Sequence, residues 1–292
     1  GMGGSAIGAE ICQVLIKDKC KVPIYINRNY NIPNWVNQNT LVIASSYSGN
    51  TEETIEAYLH AIETTSKIIA ISTGGTLSKL AKKNNNDIFI IDKNYQPRAA
   101  IGYSVMAILF CLNRLGIIDY SIINNIQSTI ENLKKYTKYL SLIEKENKAI
   151  KMAENLYNTI PVIYGSSSLT EVIALRFKSQ IQENAKMIAY HNVVPEMNHN
   201  EIEGQNDNSL SIIWLSDEID HIQVKKRIKI SKIILEDLEI KNYIVKMEGE
   251  TFIERFLKFI IMTDWISFYL AIINKNDPSP VHKISKLKSM LK

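Results

Sequence analysis

From Ala44 to Thr54 the chain reads Ala-Ser-Ser-Tyr-Ser-Gly-Asn-Thr-Glu-Glu-Thr, which places five Ser and Thr hydroxyls within ten residues. An apolar strand-like run, Leu41–Ala44, precedes this segment and a helical pattern, Thr51–Thr64, follows it. Main-chain N–H groups at a helix start have no intrahelical partner and carry about half a positive charge, so they suit an anion. Ser46, Ser48 and Thr51 add hydroxyls able to turn toward phosphate oxygens. No Lys follows Gly49, so the pattern is not that of a triphosphate loop, and a phosphate monoester fits better. Asn50 with Glu53 also satisfies a helix-capping pattern that needs no ligand, and Glu52 and Glu53 oppose a bound anion. Both readings stand.

Two further segments carry chemistry. Gly1-Met2-Gly3-Gly4-Ser5-Ala6 reads as a Gly-rich turn before a helix, where missing side chains admit a ligand to the backbone. Arg98, after Pro97, heads an apolar helical pattern; its charge opposes the helix dipole, which points either to an anionic partner or to plain solvent exposure. The third segment joins Glu183, in Gln180-Ile-Gln-Glu-Asn-Ala-Lys186, to His199, in Pro195-Glu-Met-Asn-His-Asn-Glu201. A carboxylate and an imidazole can move protons on a sugar. The alternative has Glu183 as a surface residue closing a helix and His199 as a cap of the next one. His60 and His221 read as residues of charged helical faces, His191 and His282 as residues of polar loops. No pair of histidines has the spacing of a metal site, and no nucleophile elbow is present.

The elements that must position these residues alternate. Apolar runs at Leu41–Ala44, Lys67–Ile71, Ile88–Ile91, Pro161–Tyr164, Leu210–Leu215 and Tyr243–Met247 are separated by helical patterns at Ala6–Lys17, Thr51–Thr64, Arg98–Leu115, Leu169–Asn184 and Ile219–Leu238. Strands without polar alternation, joined through helices, predict an α/β fold with doubly wound parallel sheets covered on both faces. The 292 residues suit two domains, 1–140 and 141–292, with the boundary inside a charge-rich helical stretch. The halves repeat one another. Gly3-Gly4-Ser5 matches Gly165-Ser166-Ser167-Ser168, Leu41–Ser46 matches Leu210–Ser216, and Lys67–Ser72 matches Tyr243–Met247. The strand Pro161–Tyr164 has no counterpart before Gly1, so the first sheet is expected to lack a strand.

Composition excludes other classes. With 46% hydrophobic and 22% charged residues the chain is globular, and its net charge of +4 is spread without the basic stripe of a nucleic-acid binder. Cys12, Cys20 and Cys111 lack a disulfide framework and fit a reducing, cytoplasmic setting. The apolar stretch Phe252–Ile273 contains Glu254, Arg255, Lys258 and Asp264 and reads as a buried or subunit-interface helix, not a membrane span.

Gly-Met-Gly-Gly-Ser-Ala-Ile-Gly, Ser-Tyr-Ser-Gly-Asn-Thr-Glu-Glu-Thr, Glu-Asn-Ala-Lys and Pro-Glu-x-Asn-His-Asn-Glu, with a basic C-terminal helix, together resemble the bifunctional phosphoglucose/phosphomannose isomerases, built from two sugar-isomerase (SIS) domains. The resemblance runs in order along nearly the whole chain. It implies a cytoplasmic aldose–ketose isomerase that interconverts glucose 6-phosphate and fructose 6-phosphate through a cis-enediolate, with no metal or organic cofactor. By the same resemblance Ser46, Ser48 and Thr51 hold the phosphate, and Gly3, Gly4 and Ser5 line the sugar and its phosphate. Glu183 moves the proton between C1 and C2, and Arg98 stabilises the enediolate. His199 opens the ring from the neighbouring subunit of a homodimer, and Lys288 assists at the ring oxygen. The mannose reaction is linked in the family to a hydroxyl seven positions before that Lys. Here the count reaches Val281, with Ser279 out of register, so the glucose reaction is expected more firmly. A phosphosugar-sensing SIS protein without catalysis, and an isomerase of another phosphorylated sugar, remain open.

Overall fold

The computed structural model describes residues 1–65 and 67–291. The chain divides into two compact units, 1–127 and 128–292, so the division falls inside the helix Ser121–Ser141, whereas the sequence places a boundary near residue 140.

The first unit contains, in order, α1 (Gly3–Ile16), β1 (Val42–Ser45), α2 (Glu52–Ile62), β2 (Ile68–Ser72), α3 (Gly75–Lys83), β3 (Asp87–Ile90), α4 (Ile101–Arg114) and the start of α5 (Ser121–Ser141). The three strands form a parallel sheet in the order β1-β2-β3. Every residue of the central strand β2 is buried, which explains its lack of polar alternation. One face packs on α2 and α3 through Ala44, Tyr58, Ala61, Ile68, Ala70, Leu77 and Ala81. Helix α1 lies close against α4: a Cβ on Gly8 would stand 2.7 Å from the Ser104 Cβ, so only glycine fits there.

The second unit continues with α6 (Lys148–Leu156), β4 (Ile160–Ser166), α7 (Glu171–Gln180), β5 (Tyr190–Val194), β6 (Leu210–Leu215), α8 (Ile222–Asp237), β7 (Lys241–Val245), α9 (Phe252–Ile273) and α10 (His282–Met290). Its parallel sheet has the order β5-β4-β6-β7. Trp214 and Tyr164, from adjacent strands, stack at 4.7 Å in a core that also holds Val194, Met197, Ile228 and Leu235.

The internal repeat therefore holds for part of each sheet. β1 and β2 correspond to β6 and β7, whereas β3 has no counterpart in the second unit. Among the described residues of the first unit nothing corresponds to β4 or to β5. The first-unit segment of 17–41 holds no strand. β5 escapes sequence reading because Tyr-His-Asn-Val-Val has only a short apolar end.

Helix α9 has the length and hydropathy of a membrane span, yet it is a core helix of this unit, with Phe256, Phe259, Ile266 and Leu270 buried. Its charges are paired inside the protein. Arg255 Nε and Nη2 donate to Asp217 at 2.9 and 3.1 Å, and both side chains are nearly inaccessible. Lys258 pairs with Glu254 at 2.7 Å, and Asp264 with the buried Arg176 at 2.6 Å. The Asp217 pairing comes first in raising the Arg255 pKa. Breaking a buried pair leaves one charge without compensation, at a cost of about 3–5 kcal/mol. Arg255→Met is therefore expected to shift the urea midpoint sharply downward, and an unchanged midpoint would show that Asp217 does not need its partner.

Candidate active site

In the first unit four short segments converge. β1 ends at Ser45, and Ser46 N still bonds to Ile71 O at 3.0 Å before the chain turns through Tyr47, Ser48, Gly49 and Asn50. Gly49 has φ +68°, and a Cβ there would overlap the Gly74 carbonyl. Gly75 has φ +69°, and a Cβ there would lie 2.5 Å from the Ser48 carbonyl oxygen. The turns after β1 and β2 are thus interlocked backbone to backbone, which glycine alone permits. The link is completed by Leu77 N donating to Gly49 O at 2.8 Å and Thr73 N to Tyr47 O at 3.0 Å.

Asn50 is drawn into this lock. Its Oδ1 accepts from both Thr76 N and Thr76 Oγ1 at 3.0 Å, at the start of α3. The capping pattern read from Asn50 and Glu53 is therefore not realised. The residue before α2 is Thr51, and no side chain caps the helix. Its own hydroxyl instead accepts from Ser46 Oγ at 2.9 Å. The result is a helix end with unassigned N–H groups, flanked by the buried Ser46, the half-buried Thr51 and the exposed Ser48. Glu52 and Glu53 in the first turn of α2 offset part of that positive end.

The Gly-rich segment is not a turn before a helix, because Gly3, Gly4 and Ser5 are already the first turn of α1. Gly3 has φ +48°, and Met2, the residue before the helix, gives no side-chain cap. Ser5 Oγ accepts from Tyr47 N at 3.2 Å, and a Cβ on Gly4 would lie 3.2 Å from Pro97 O. Pro97–Ala99 form a single 3₁₀ turn, so Arg98 belongs to that turn and α4 begins only at Ile101. Tyr47, which the sequence reading passed over, holds the group together: its hydroxyl accepts from Tyr95 N at 3.1 Å. Two uncapped helix starts, the hydroxyl-rich turn and the Arg98 turn thus adjoin one another within one unit.

In the second unit Glu183 does not close α7. The helix ends at Gln180, and Ile181–Ala185 form a π-helical turn, a widening frequent at functional sites. The turn is fastened to α9 and the segment after it. Asn184 Nδ2 donates to Ser267 Oγ at 2.9 Å, and Asn276 Nδ2 to Ala185 O at 2.7 Å. Lys186, left-handed at φ +57°, donates to the carbonyls of Glu183 and Pro280. Asn184 and Lys186 thus shape the backbone that carries the half-buried Glu183.

His199 ends a 3₁₀ turn, Glu196–His199, and is exposed. It caps nothing: the cap of the next turn is Asn200, whose side chain accepts from Glu201 N. The residues around it are anchored. Asn198 Nδ2 donates to Ser231 Oγ on α8 at 2.7 Å. Glu201 accepts from Tyr164 Oη at 2.7 Å and from Asn192 Nδ2, and Gln205 Nε2 reaches the same Tyr164 oxygen. Burial first, then the Glu201 carboxylate, push the Tyr164 pKa far up, so the phenol stays a donor. Glu183 and His199 stand on different elements, one on the π turn beside α9 and the other on a turn pinned to α8. Lys288 is in the last turn of α10, where every residue is exposed. His221 corrects its sequence reading: it caps α8, its Nδ1 accepting from Gln223 N at 3.2 Å. His191 lies in β5 and His282 opens α10, so neither is in a loop.

Residues 145–291 match the family model of the bacterial phospho-glucose isomerase C-terminal SIS domain. In fold, the C-terminal domain of glucosamine-fructose-6-phosphate aminotransferase from Francisella tularensis is similar, with a TM-score of 0.75 at 14% identity over 96% of this chain and 84% of that one. The fold class is thus α/β with SIS architecture. Along its sequence the chain is 41% identical to a bifunctional phosphoglucose/phosphomannose isomerase of Caldicellulosiruptor bescii, covering 100% of this chain and 88% of the relative. A namesake from Aquifex aeolicus is 36% identical, covering 100% of this chain and 89% of the relative. The chain belongs to the bifunctional phosphoglucose/phosphomannose isomerase family, and it is an enzyme of the isomerase class.

The interlock at Gly49 makes one expectation concrete. Gly49→Ala forces a Cβ into the Gly74 carbonyl at a positive φ, a strain of about 1–3 kcal/mol. Binding of inorganic phosphate, followed by calorimetry, is expected to weaken at least tenfold while the folded fraction stays high at 20 °C. Unaltered phosphate affinity would place the anion site away from this turn.

Proposed function

We propose that the chain interconverts glucose 6-phosphate and fructose 6-phosphate, acting as a cytoplasmic homodimer of two-SIS-domain subunits. The observation that carries this reading is the uncapped start of α2, ringed by Ser46, Ser48 and Thr51 and adjoining the first turn of α1 and the Arg98 turn. Such a cradle suits a phosphate monoester. The helix end supplies N–H donors and partial positive charge, and the hydroxyls supply donors that adjust to three oxygens.

Residue roles are those the family resemblance implies. Ser46, Ser48 and Thr51 hold the phosphate, and Gly3, Gly4 and Ser5 line the sugar and its ester. Once His199 of the neighbouring subunit has opened the ring, with Lys288 at the ring oxygen, Glu183 removes the C2 proton of the open-chain aldose. Electrons of the broken C–H bond form the C1–C2 double bond, and the aldehyde oxygen takes up negative charge. Arg98 stabilises that enediolate. Return of the proton from Glu183 to C1, with one proton passing from O2 to O1, completes the ketose. One carboxylate on one face of a cis-enediolate serves both transfers. Proton transfer by a positioned group contributes on the order of 10²–10⁴ in rate. Preorganised charge at the developing oxyanion adds about 3–4 kcal/mol.

Glu183→Gln is expected to lower turnover of fructose 6-phosphate at least about a thousandfold while phosphate-ligand affinity stays similar. Equal activity in the two proteins defeats the assignment. Ser48→Ala combined with Thr51→Ala is expected to raise KM far more than it lowers kcat, because uniform binding is lost and not a transition-state contact. If affinity for fructose 6-phosphate is untouched, the ester is bound elsewhere.

A further inference from the structure

The segment that carries His199 is tied to a row of polar groups that the sheet itself lines up. Parallel register sets Tyr164 of β4 between Asn192 of β5 and Trp214 of β6, so the three side chains share one face. Trp214 packs on the Tyr164 ring, while the phenol oxygen reaches the turn after His199. Gln205 Nε2 donates to Tyr164 Oη, Tyr164 Oη donates to Glu201 Oε1 at 2.7 Å, and Asn192 Nδ2 donates to Glu201 Oε2. Both oxygens of Glu201 are engaged, two residues beyond His199.

The direction of each bond in the row is fixed. Tyr164 has one hydrogen to give, and because Gln205 donates to its oxygen, that hydrogen goes to the carboxylate. Asn192 is oriented in turn, since its Oδ1 accepts from Val193 N at 2.8 Å and only its Nδ2 is left for Glu201. Apolar packing already holds the segment down: Met197 lies in the core on one side of His199, and Ile202 packs against that core on the other. What packing alone does not supply is rotational direction. Two bonds to a carboxylate, from two different strands, supply it, and such bonds are stronger than neutral ones. His199 takes no part in the row, so its imidazole stays exposed on a backbone whose orientation is set beneath it.

We propose that Glu201 is a positioning residue for His199: held by Tyr164 and Asn192, it aims the imidazole at the sugar ring, and it bears on ring opening and not on proton transfer between C1 and C2. The inference rests on the ring-opening role proposed for His199 above. In that step, for fructose 6-phosphate, the hydroxyl proton on the anomeric C2 leaves, the bond from C2 to the ring oxygen breaks as the C2 carbonyl forms, and the ring oxygen takes up a proton.

The test separates ring opening from isomerisation. In Glu183→Gln the isomerisation is blocked, so exchange between the two ring anomers of fructose 6-phosphate, read by NMR magnetisation transfer, reports ring opening. This protein is expected to speed the exchange above the rate without protein, and adding His199→Ala is expected to remove the acceleration. Adding Glu201→Gln to Glu183→Gln is expected to cut the accelerated exchange at least about tenfold, with affinity for fructose 6-phosphate unchanged, because an amide Nε2 then faces Asn192 Nδ2. Adding Asn192→Asp as well restores a donor and acceptor pair and is expected to recover most of the loss. Leu235→Ala, in the same core, is the stability control: it is expected to lower the urea midpoint and leave the exchange unchanged. Exchange that survives Glu201→Gln but not His199→Ala overturns the proposal and leaves the role of His199 standing. A loss that Asn192→Asp does not recover, or that Leu235→Ala reproduces, marks a merely structural effect and also overturns it. Absence of acceleration in Glu183→Gln, or acceleration that survives His199→Ala, removes the ring-opening role and the proposal with it. Should Glu201→Gln fail to fold, Tyr164→Phe, which withdraws one donor from the carboxylate, is measured in its place, and unchanged exchange there overturns the proposal.

Discussion

A helix start that no side chain caps keeps several backbone donors in need of acceptors, and in the first unit that need arises from where one amide has gone. Asn50 could have capped α2; instead its Oδ1 is committed to Thr76 at the start of α3. It is held there because Gly49 and Gly75 allow the two strand-to-helix turns to touch backbone to backbone. The sheet, the glycines and the two turns form one device that leaves the start of α2 uncapped at the carboxyl end of β1, the edge where α/β folds take their ligands.

The second unit solves a different problem. It holds Glu183 and His199, the residues proposed to transfer protons, on short segments whose neighbours are anchored. Glu183 is carried by a π turn whose neighbours, Asn184 and Lys186, take the structural bonds. His199 is left to solvent while Asn198 and Glu201, on either side, are bound to α8, β4 and β5. In both cases flanking residues of a short motif do the anchoring. The cost of burying charge is met in the same economical way under α9, where Arg255, Lys258 and Asp264 each find a partner inside the protein.

Much of this was legible in the chain. The α/β class, the strand runs at β1, β2, β4 and β6, the hydroxyl turn and the Glu183 and His199 segments follow from local periodicity and residue type. Other features were not. Arg98 reads as the head of a helix because Pro97 favours one, but a separate 3₁₀ turn intervenes. Gly3 and Gly4 read as a loop because glycine is a poor helix former, whereas both belong to the first turn of α1, with Gly4 close beside the Pro97 carbonyl. β5 was invisible because its strand character comes from bonding to β4, not from its side chains.

Local patterns of apolar residues act over one strand or one helical turn, so the sequence by itself determined the class of fold, and its ordered motifs carried the resemblance to the family. Tertiary structure alone decided which way Asn50 turned, that Tyr47 joins Ser5 to Tyr95, and that Glu183 sits on a widened turn. Each of these depends on a partner twenty or more residues away, whose approach is set by the packing of sheets and helices and not by neighbouring residues.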